Sequence, residues 1–457
     1  MGITMKTIFS CIFISIFIAA VLTFSPGSAF IFFLAFLVGL LLWLRLPEQN
    51  EKEFLVAIFS AGFLLRVFTL LFIYLLMGLY GDYKQTLGER VIATFGDGAY
   101  STIRSWRMAK YWFGETMSQK IIDSAFYPSF GQSGYLYVLA FFHYIFGFGL
   151  ISSRLINCLL GTATAVFVYF IAKEIFTIKA AKLSAVFTMF FPSLFLWSLS
   201  NLKEPAIIFM GSVTLWSFIK FQKKRKLYYL IFLVLALYSL GTLRHGLWLC
   251  MVGIVFFSFI CASKLSILKK ISTCLMIVAS LQAFLFVNNK SLKSTVSGKL
   301  ASLVIKHKGF VLTGGSVYKL FDGNYHLVNP ANMNLTDYAK MFFRAWVHFL
   351  FEPFPWKIHS KQMLLSYPQM VLCYVLTPFA FWGMILAARY NWRLSSILFI
   401  YPFVIISVSA MSGGNIGTAF RHRDMVTPVF LIFAAAGLLK AFGKNFMPEQ
   451  ESRYEIQ

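Results

Sequence analysis

Ser133-Gly134-Tyr135-Leu136-Tyr137-Val138-Leu139-Ala140-Phe141-Phe142-His143-Tyr144-Ile145-Phe146-Gly147-Phe148 decides how this chain is threaded. The stretch is apolar but only 16 residues long, short of the roughly 20 that a helix needs to cross a hydrocarbon slab. Counted as a crossing, it would invert everything after it and move the basic loops at Lys179 and Lys223–Lys226 to the outer face. Kept out of the count as an interfacial or re-entrant helix, which its Tyr and Phe content suits, it leaves the short basic loops on one side.

The rest of the sequence requires that choice. Of 457 residues, 59% are hydrophobic and 18% aromatic, and only 13% are charged, about half the usual globular share. Apolar runs near the length of a membrane span recur along the chain. They do not alternate, so helices rather than a barrel must satisfy the backbone in lipid. The expected fold class is an all-α integral membrane protein of about 12 transmembrane helices, with amphipathic surface helices in two long outer loops. Spans are expected near 7–24, 29–45, 54–80, 154–172, 183–200, 206–221, 228–243, 246–262, 270–287, 369–388, 394–411 and 425–442. Residues 1–29 could pass for a signal peptide, but the run is long for one and reads as a retained helix.

This count places Lys6, Arg45/Lys52, Lys173/Lys179/Lys182, Lys223–Lys226, Lys264/Lys269/Lys270, Arg389/Arg393 and Lys440/Lys444 on one side. Short basic loops mark that side as cytoplasmic, with both termini inside. Four regions follow: an N-terminal helix pair at 1–53, a core at 54–287 with a long outer loop at 81–153, a second outer loop at 288–368, and C-terminal helices with a short cytoplasmic tail at 369–457. The formal charge of +24 is accounted for by these clusters and not by a nucleic-acid-binding stripe. Cys11, Cys158, Cys250, Cys261, Cys274 and Cys373 all fall in apolar runs without CxxC or Cys/His spacing, and read as small buried hydrophobes.

Charges left on the outer side carry the chemistry. Phe95-Gly96-Asp97-Gly98 opens an amphipathic helix whose apolar stripe is Ala99, Ile103, Trp106 and Phe113, with Asp97, Ser101, Arg104 and Met108 on a different face. Asp97 would sit at its N-terminus, where the helix dipole favours an anion. Three short outer connections add Asn201-Leu202-Lys203-Glu204-Pro205, Thr242-Leu243-Arg244-His245-Gly246, and Asn415 through Arg421-His422-Arg423-Asp424. Guanidinium groups fixed on that side suit a phosphate or pyrophosphate headgroup, whose oxygens they bind in pairs. In the second loop, Lys340, Arg344, His348 and Glu352 share a helix face opposite Phe342, Trp346 and Phe349, and are expected to face water for the most part. Arg66 lies deep in the 54–80 run, where a charge either snorkels or pairs functionally, and the sequence leaves both open.

These pieces, in this order, resemble the polytopic glycosyltransferases of superfamily C, closest to the protein O-mannosyltransferase and lipid A aminoarabinose-transferase branch. The resemblance rests on Asp97 in the first long outer loop, Tyr127-Pro128 later in it, and Phe146-Gly147 through Arg154-Leu155-Ile156. It continues through the basic inner loop Lys173–Lys182 and Pro192 through Leu199-Ser200-Asn201-Leu202-Lys203-Glu204-Pro205. It spans roughly residues 54–260, and more weakly Phe351–Trp356 and Arg421–Pro428. The chain departs from the mannosyltransferases in carrying Asp97 alone where an Asp-Glu pair is usual, and it lacks a large C-terminal soluble domain.

The resemblance implies an enzyme of the bacterial plasma membrane that moves a sugar from a polyprenyl-phosphate donor to a hydroxyl on a lipid, glycan or protein acceptor at the outer face, in cell-envelope synthesis. It implies Asp97 and Glu204 as catalytic acids, and Arg244, Arg421, Arg423, His422 and Lys203 as candidate ligands of the donor phosphate. Arg104, Tyr127 and His245 are expected to line the substrate cavity. Membrane lipids are the surrounding partner and nucleic acid is not. No cofactor is required by the residues; a divalent metal stays open because acidic residues exist without a diagnostic ligand spacing. A surface-polysaccharide polymerase or ligase, with Lys306, His307 and Lys308 in the large outer loop, is the alternative enzyme. A lipid-linked sugar transporter or flippase is the alternative outside that class.

Overall fold

The computed structural model describes residues 25–80, 97–126, 133–287, 292–313, 316–322, 325, 333–357 and 361–444. The expected span at 7–24 and the Tyr127-Pro128 pair lie outside them. The expected spans from 29–45 onward fall on helix, with 183–200 interrupted, and among the described residues the only β pairing is an isolated bridge between Val317 and Asn415. Five of these helices are long and apolar enough to cross a membrane, and a sixth crossing results if Ile416–Arg423 and Thr427–Ala441, bent by 61°, count as one. The 133–148 stretch forms a helix at Gly134–Phe146, shorter than a span.

The chain divides into two compact units, one ending at Trp248 and the other running from Leu249 to Asn445. The first contains α1 (Pro26–Arg45), α2 (Gln49–Tyr80), α3 (Asp97–Trp112), α4 (Gln119–Phe126), α5 (Gly134–Phe146), α6 (Ser152–Ile175), α7 (Ile178–Phe190), α8 (Pro192–Trp197), α9 (Glu204–Lys224) and α10 (Leu227–Leu243). Next comes α11 (His245–Ala262), within which the division falls. At the centre of this unit, α6 packs against α1, α2, α7 and α9. Among its buried positions are the small or polar Ser153, Asn157, Thr162, Ala165 and Ala172, which let neighbouring helices approach closely.

The expected span at 183–200 is not one helix. Pro192 cannot continue α7, because it lacks an N–H and pushes Phe191 into an extended conformation (φ −63°, ψ 125°). Arg66 fills the break. It is fully buried; its Nε donates to Ser198 Oγ at 2.8 Å, Nη2 to the Met189 carbonyl at 3.0 Å and Nη1 to the Gly62 carbonyl at 3.0 Å, and its guanidinium lies over the Phe195 ring. The Met189 carbonyl is one of the acceptors that a helix leaves open at its C-terminal end. Arg66 therefore neither snorkels nor meets an acid; it caps α7 from within the bundle.

Charged residues collect at one end of this unit. Lys173 pairs with the buried Glu51, Lys220 and Lys223 with Glu174, and Lys182 reaches the Asn50 carbonyl. The start of α2, the end of α6, the start of α7 and the end of α9 therefore meet, as the basic-loop grouping requires. At the opposite end, the starts of α6 and α9 meet.

The second unit holds α12 (Ile267–Val287), α13 (Leu292–Leu312), α14 (Leu335–Phe351), a short 3₁₀ turn at Pro355–Lys357, α15 (Lys361–Ser412), α16 (Ile416–Arg423) and α17 (Thr427–Ala441). The continuous helical run of α15 turns back on itself at Asn391 (φ −146°, ψ 51°). There Ser395 Oγ donates to the Ala387 carbonyl at 3.2 Å, although eight residues of straight helix would separate them by about 12 Å. Phe433 of α17 confirms the fold-back by touching both halves: its carbonyl sits where a Cβ on Gly383 would be, and its ring stacks on Phe399 at 5.3 Å. The expected spans at 369–388 and 394–411 are thus the two arms of one hairpin. On α14 the buried stripe is Tyr338, Met341, Ala345 and Phe349, the spacing of one helix face.

Gly437 of α17 lies directly against the Phe379 carbonyl, and any Cβ there would overlap backbone rather than a movable side chain. Gly437→Ala should lower the stability of the detergent-solubilised protein by about 1–3 kcal/mol. A fall in the midpoint of thermal unfolding would register it, and an unchanged midpoint would contradict this packing.

Candidate functional site

Glu204 lies at the first position of α9, with Pro205 behind it where a proline costs no hydrogen bond. Its side chain is 4% exposed, and Oε2 has no hydrogen-bond partner among the described residues. The non-helical segment 198–203 delivers it, and that segment is tied down from three sides. Arg66 holds Ser198. Asn157 Nδ2 donates to the carbonyls of Ser200 and Leu202, both at 2.6 Å. Asn201 Nδ2 donates to Ser153 Oγ at 2.9 Å and to Thr102 Oγ1 at 2.8 Å.

The contact from Asn201 to Thr102 joins α3 to this segment. Thr102 is five residues beyond Asp97 on α3, about 7.5 Å along its axis. Asp97 itself is exposed at the helix N-terminus. The buried side of α3 is Gly98, Thr102, Ser105, Met108 and Ala109 together with Arg104, while Ile103 and Phe113 of the expected apolar stripe are exposed. An apolar stripe turned outward suits a helix lying against lipid.

Tyr135 of α5, wholly buried, stands within electrostatic reach of Asn157, Glu204 and Arg154. Its hydroxyl lies against the Asn157 side chain, while Asn157 Oδ1, Asn201 Oδ1 and Glu204 Oε2 lack hydrogen-bond partners among the described residues. Buried polar atoms of this kind are rare because each costs about 1–3 kcal/mol, and a cluster of them is best explained by a group or water that they receive.

The other expected site residues are placed as follows. Lys203 precedes α9 as its cap, half-buried. Arg244 is half-buried in the extended joint between α10 and α11, where its N–H bonds the Leu240 carbonyl at 2.8 Å. His245 is exposed, with its ring against Trp248 at 5.6 Å. Arg104 is buried and donates to the Ala125 carbonyl at 3.1 Å, so it joins α3 to α4. Tyr127 lies outside the described residues. Arg421, His422 and Arg423 belong to the second unit; Arg421 and His422 are half-buried. Arg423 is buried and donates to the Glu352 carbonyl at 2.6 Å and to Met370 Sδ at 2.9 Å.

Two features were not singled out from sequence. Ser153, Asn157 and Gly161 form a polar and small stripe at four-residue spacing within an apolar helix, and that spacing was the available signal. Glu352 was expected to face water with its neighbours on α14. It is instead fully buried, its Oε1 accepting from His348 Nδ1 at 3.0 Å, because the Pro353 and Pro355 turn folds it beneath Arg423. Among the described residues, no group of three or more His, Cys, Asp or Glu is arranged to hold a metal ion.

Elsewhere in the second unit, His307 is fully buried, donates from Nδ1 to the Gly413 carbonyl at 2.7 Å, and packs against the rings of Tyr318 and Tyr325. Burial pushes its imidazole down to about 4. The neutral form is thus favoured by folding: His307 contributes its full stability above the unfolded value near 6.5, and loses it as pH falls from there through about 4. The stability difference between wild type and His307→Asn should therefore narrow by about 3 kcal/mol over that interval. Denaturant unfolding at a series of pH values measures this, and parallel curves would exclude a buried neutral imidazole.

Residues 134–304 match the family model for dolichyl-phosphate-mannose-protein mannosyltransferases. The matched segment contains Tyr135, Asn157, Lys203, Glu204, Arg244 and His245; it begins after Asp97 and ends before Arg421. No curated protein matches the chain. The family match supports the superfamily C resemblance, and with the apolar helices it marks a multi-pass membrane glycosyltransferase of that type.

Proposed function

We propose that this membrane glycosyltransferase takes its sugar from a polyprenyl-phosphate donor and passes it to a hydroxyl acceptor at the outer face of the plasma membrane, with Asp97 as the acceptor-side base and Glu204 as the second carboxylate of the site. The observation that carries this reading is the Glu204 carboxylate, buried with an open oxygen beside the Tyr135 hydroxyl and Asn157. A carboxylate costs too much to bury without a task or a partner.

In the proposed step, the acceptor oxygen attacks the anomeric carbon and the bond from that carbon to the phosphate oxygen breaks. The hydroxyl proton passes to Asp97, which is exposed at the start of α3 and reachable by an acceptor. Glu204 orients the acceptor through its open oxygen. The departing polyprenyl phosphate takes up negative charge, which Lys203 and Arg244 stabilise electrostatically. The lipid-borne donor fits a chain with no Gly-rich nucleotide-binding loop. The basic loop ends gathered opposite Glu204 support an outward-facing site, because short basic loops stay on the cytoplasmic side.

Purified protein in nanodiscs, supplied with polyprenyl-phosphate mannose as the first donor, provides the assay. Glu204→Gln and Asp97→Asn should each lower transfer by about 10²–10⁴-fold while the protein stays monodisperse. Full activity in either variant would remove that residue from the mechanism. Arg244→Ala should lower kcat by about 10²-fold or more even at saturating donor, because the charge it stabilises develops as the phosphate departs. The same assay tests the expected phosphate role of Arg421: Arg421→Ala with an unchanged donor KM would end it.

A further inference from the structure

Outside the segment that matches the family, the second unit holds a buried carboxylate that the transfer step does not use. Glu352 ends α14, and the turn after it is fixed at backbone and side chain. Oε2 accepts from the Phe354 N–H at 3.2 Å, and Arg423 donates to the Glu352 carbonyl. Tyr374 donates from its hydroxyl to the Phe351 carbonyl at 2.7 Å.

What this carboxylate orients is an imidazole. With His348 Nδ1–H donating to Glu352, Nε2 is left as an acceptor. Tyr318 stacks on the imidazole at 5.6 Å and 12°, and Phe354 meets it edge-on at 5.9 Å. The His348 side chain keeps 14% of its surface accessible. Nδ1 is engaged by Glu352, and Nε2 has no hydrogen-bond partner among the described residues.

Phe354, which meets the imidazole edge-on, is also one half of an aromatic platform. Trp356 is 73% exposed and lies flat on Phe354 at 4.9 Å and 7°. One helical turn before His348, Arg344 grips Asp322 through two parallel hydrogen bonds of 3.0 Å. An exposed tryptophan alone would be accounted for as an anchor at the membrane–water boundary. That account gives no reason to bury a carboxylate on an imidazole that packs against the same Phe354 ring.

We propose that Trp356, Phe354 and His348, with Glu352 as the positioning residue, form a saccharide-binding subsite on the second unit that takes one pyranose ring. The electron-rich face of the indole receives the C–H face of the ring. A ring hydroxyl donates its hydrogen bond to His348 Nε2, which Glu352 holds in the accepting tautomer. The subsite rests on the glycosyltransferase reading and gives the enzyme a second hold on glycan besides the site at Glu204. Because it is tested by binding and not by transfer, its failure and the failure of that reading are distinguishable.

The test uses the full-length protein in a sugar-free detergent with three probes: methyl α-mannopyranoside, methyl β-galactopyranoside and methyl β-N-acetylglucosaminide. Diethyl pyrocarbonate, followed by peptide mass spectrometry, reads the reactivity of each histidine. His348 should react about tenfold or more faster than the buried His307, and at least one glycoside should slow His348 by about fivefold. Trp356→Ala, whose side chain is mostly in solvent and whose loss leaves the core intact, should abolish that protection. His348→Asn should weaken saturation transfer from protein to glycoside by a similar factor. Protection that persists in Trp356→Ala, or the absence of protection and saturation transfer with all three glycosides, would overturn the proposal.

Discussion

A guanidinium sealed inside an apolar bundle is the constraint on which the first unit depends. Arg66 cannot reach water from the middle of α2, so its donors must be met by the protein, and the break that Pro192 makes in α7 supplies the acceptors. The two features account for each other. Without the break, Met189 would offer no free carbonyl; without Arg66, that carbonyl and Ser198 would lie buried without this donor. The segment 198–203 is held by this exchange, and Glu204 is placed at the start of α9 because the segment before it cannot move.

From there the order passes outward by neutral hydrogen bonds. Asn157 clamps the carbonyls of Ser200 and Leu202, and Asn201 bridges Ser153 to Thr102 and so to the helix that begins at Asp97. The opposite end of the same unit is built from ion pairs, with Lys173 on Glu51 and Lys220 on Glu174. The basic end is joined by ion pairs between helix ends, and the segment before Glu204 by hydrogen bonds to its carbonyls and hydroxyls.

The second unit reaches rigidity differently. Gly383 and Gly437 let α15 and α17 touch backbone to backbone, and the fold-back at Asn391 gives α17 two surfaces to lie against. Arg423 resembles Arg66 in being a buried cation committed to a carbonyl, in this case that of Glu352. An arginine that reads as a phosphate ligand from its position beside a span thus serves in the structure to lock the turn that carries Glu352, His348 and Trp356.

The sequence by itself determined the all-helical class, the position of most of the helices, the meeting of the Lys173, Lys182 and Lys223 loop ends in the first unit and the prominence of Asp97 and Glu204. Each follows from local quantities: run length, charge spacing and the cost of an unmet backbone group in lipid. Only the tertiary structure decided that Arg66 caps a helix, that Glu204 shares its burial with Tyr135 and Asn157, and that Glu352 turns inward onto His348. Those outcomes depend on which acceptor lies opposite which donor across helices far apart in the chain, and no periodicity in one segment records its partner in another.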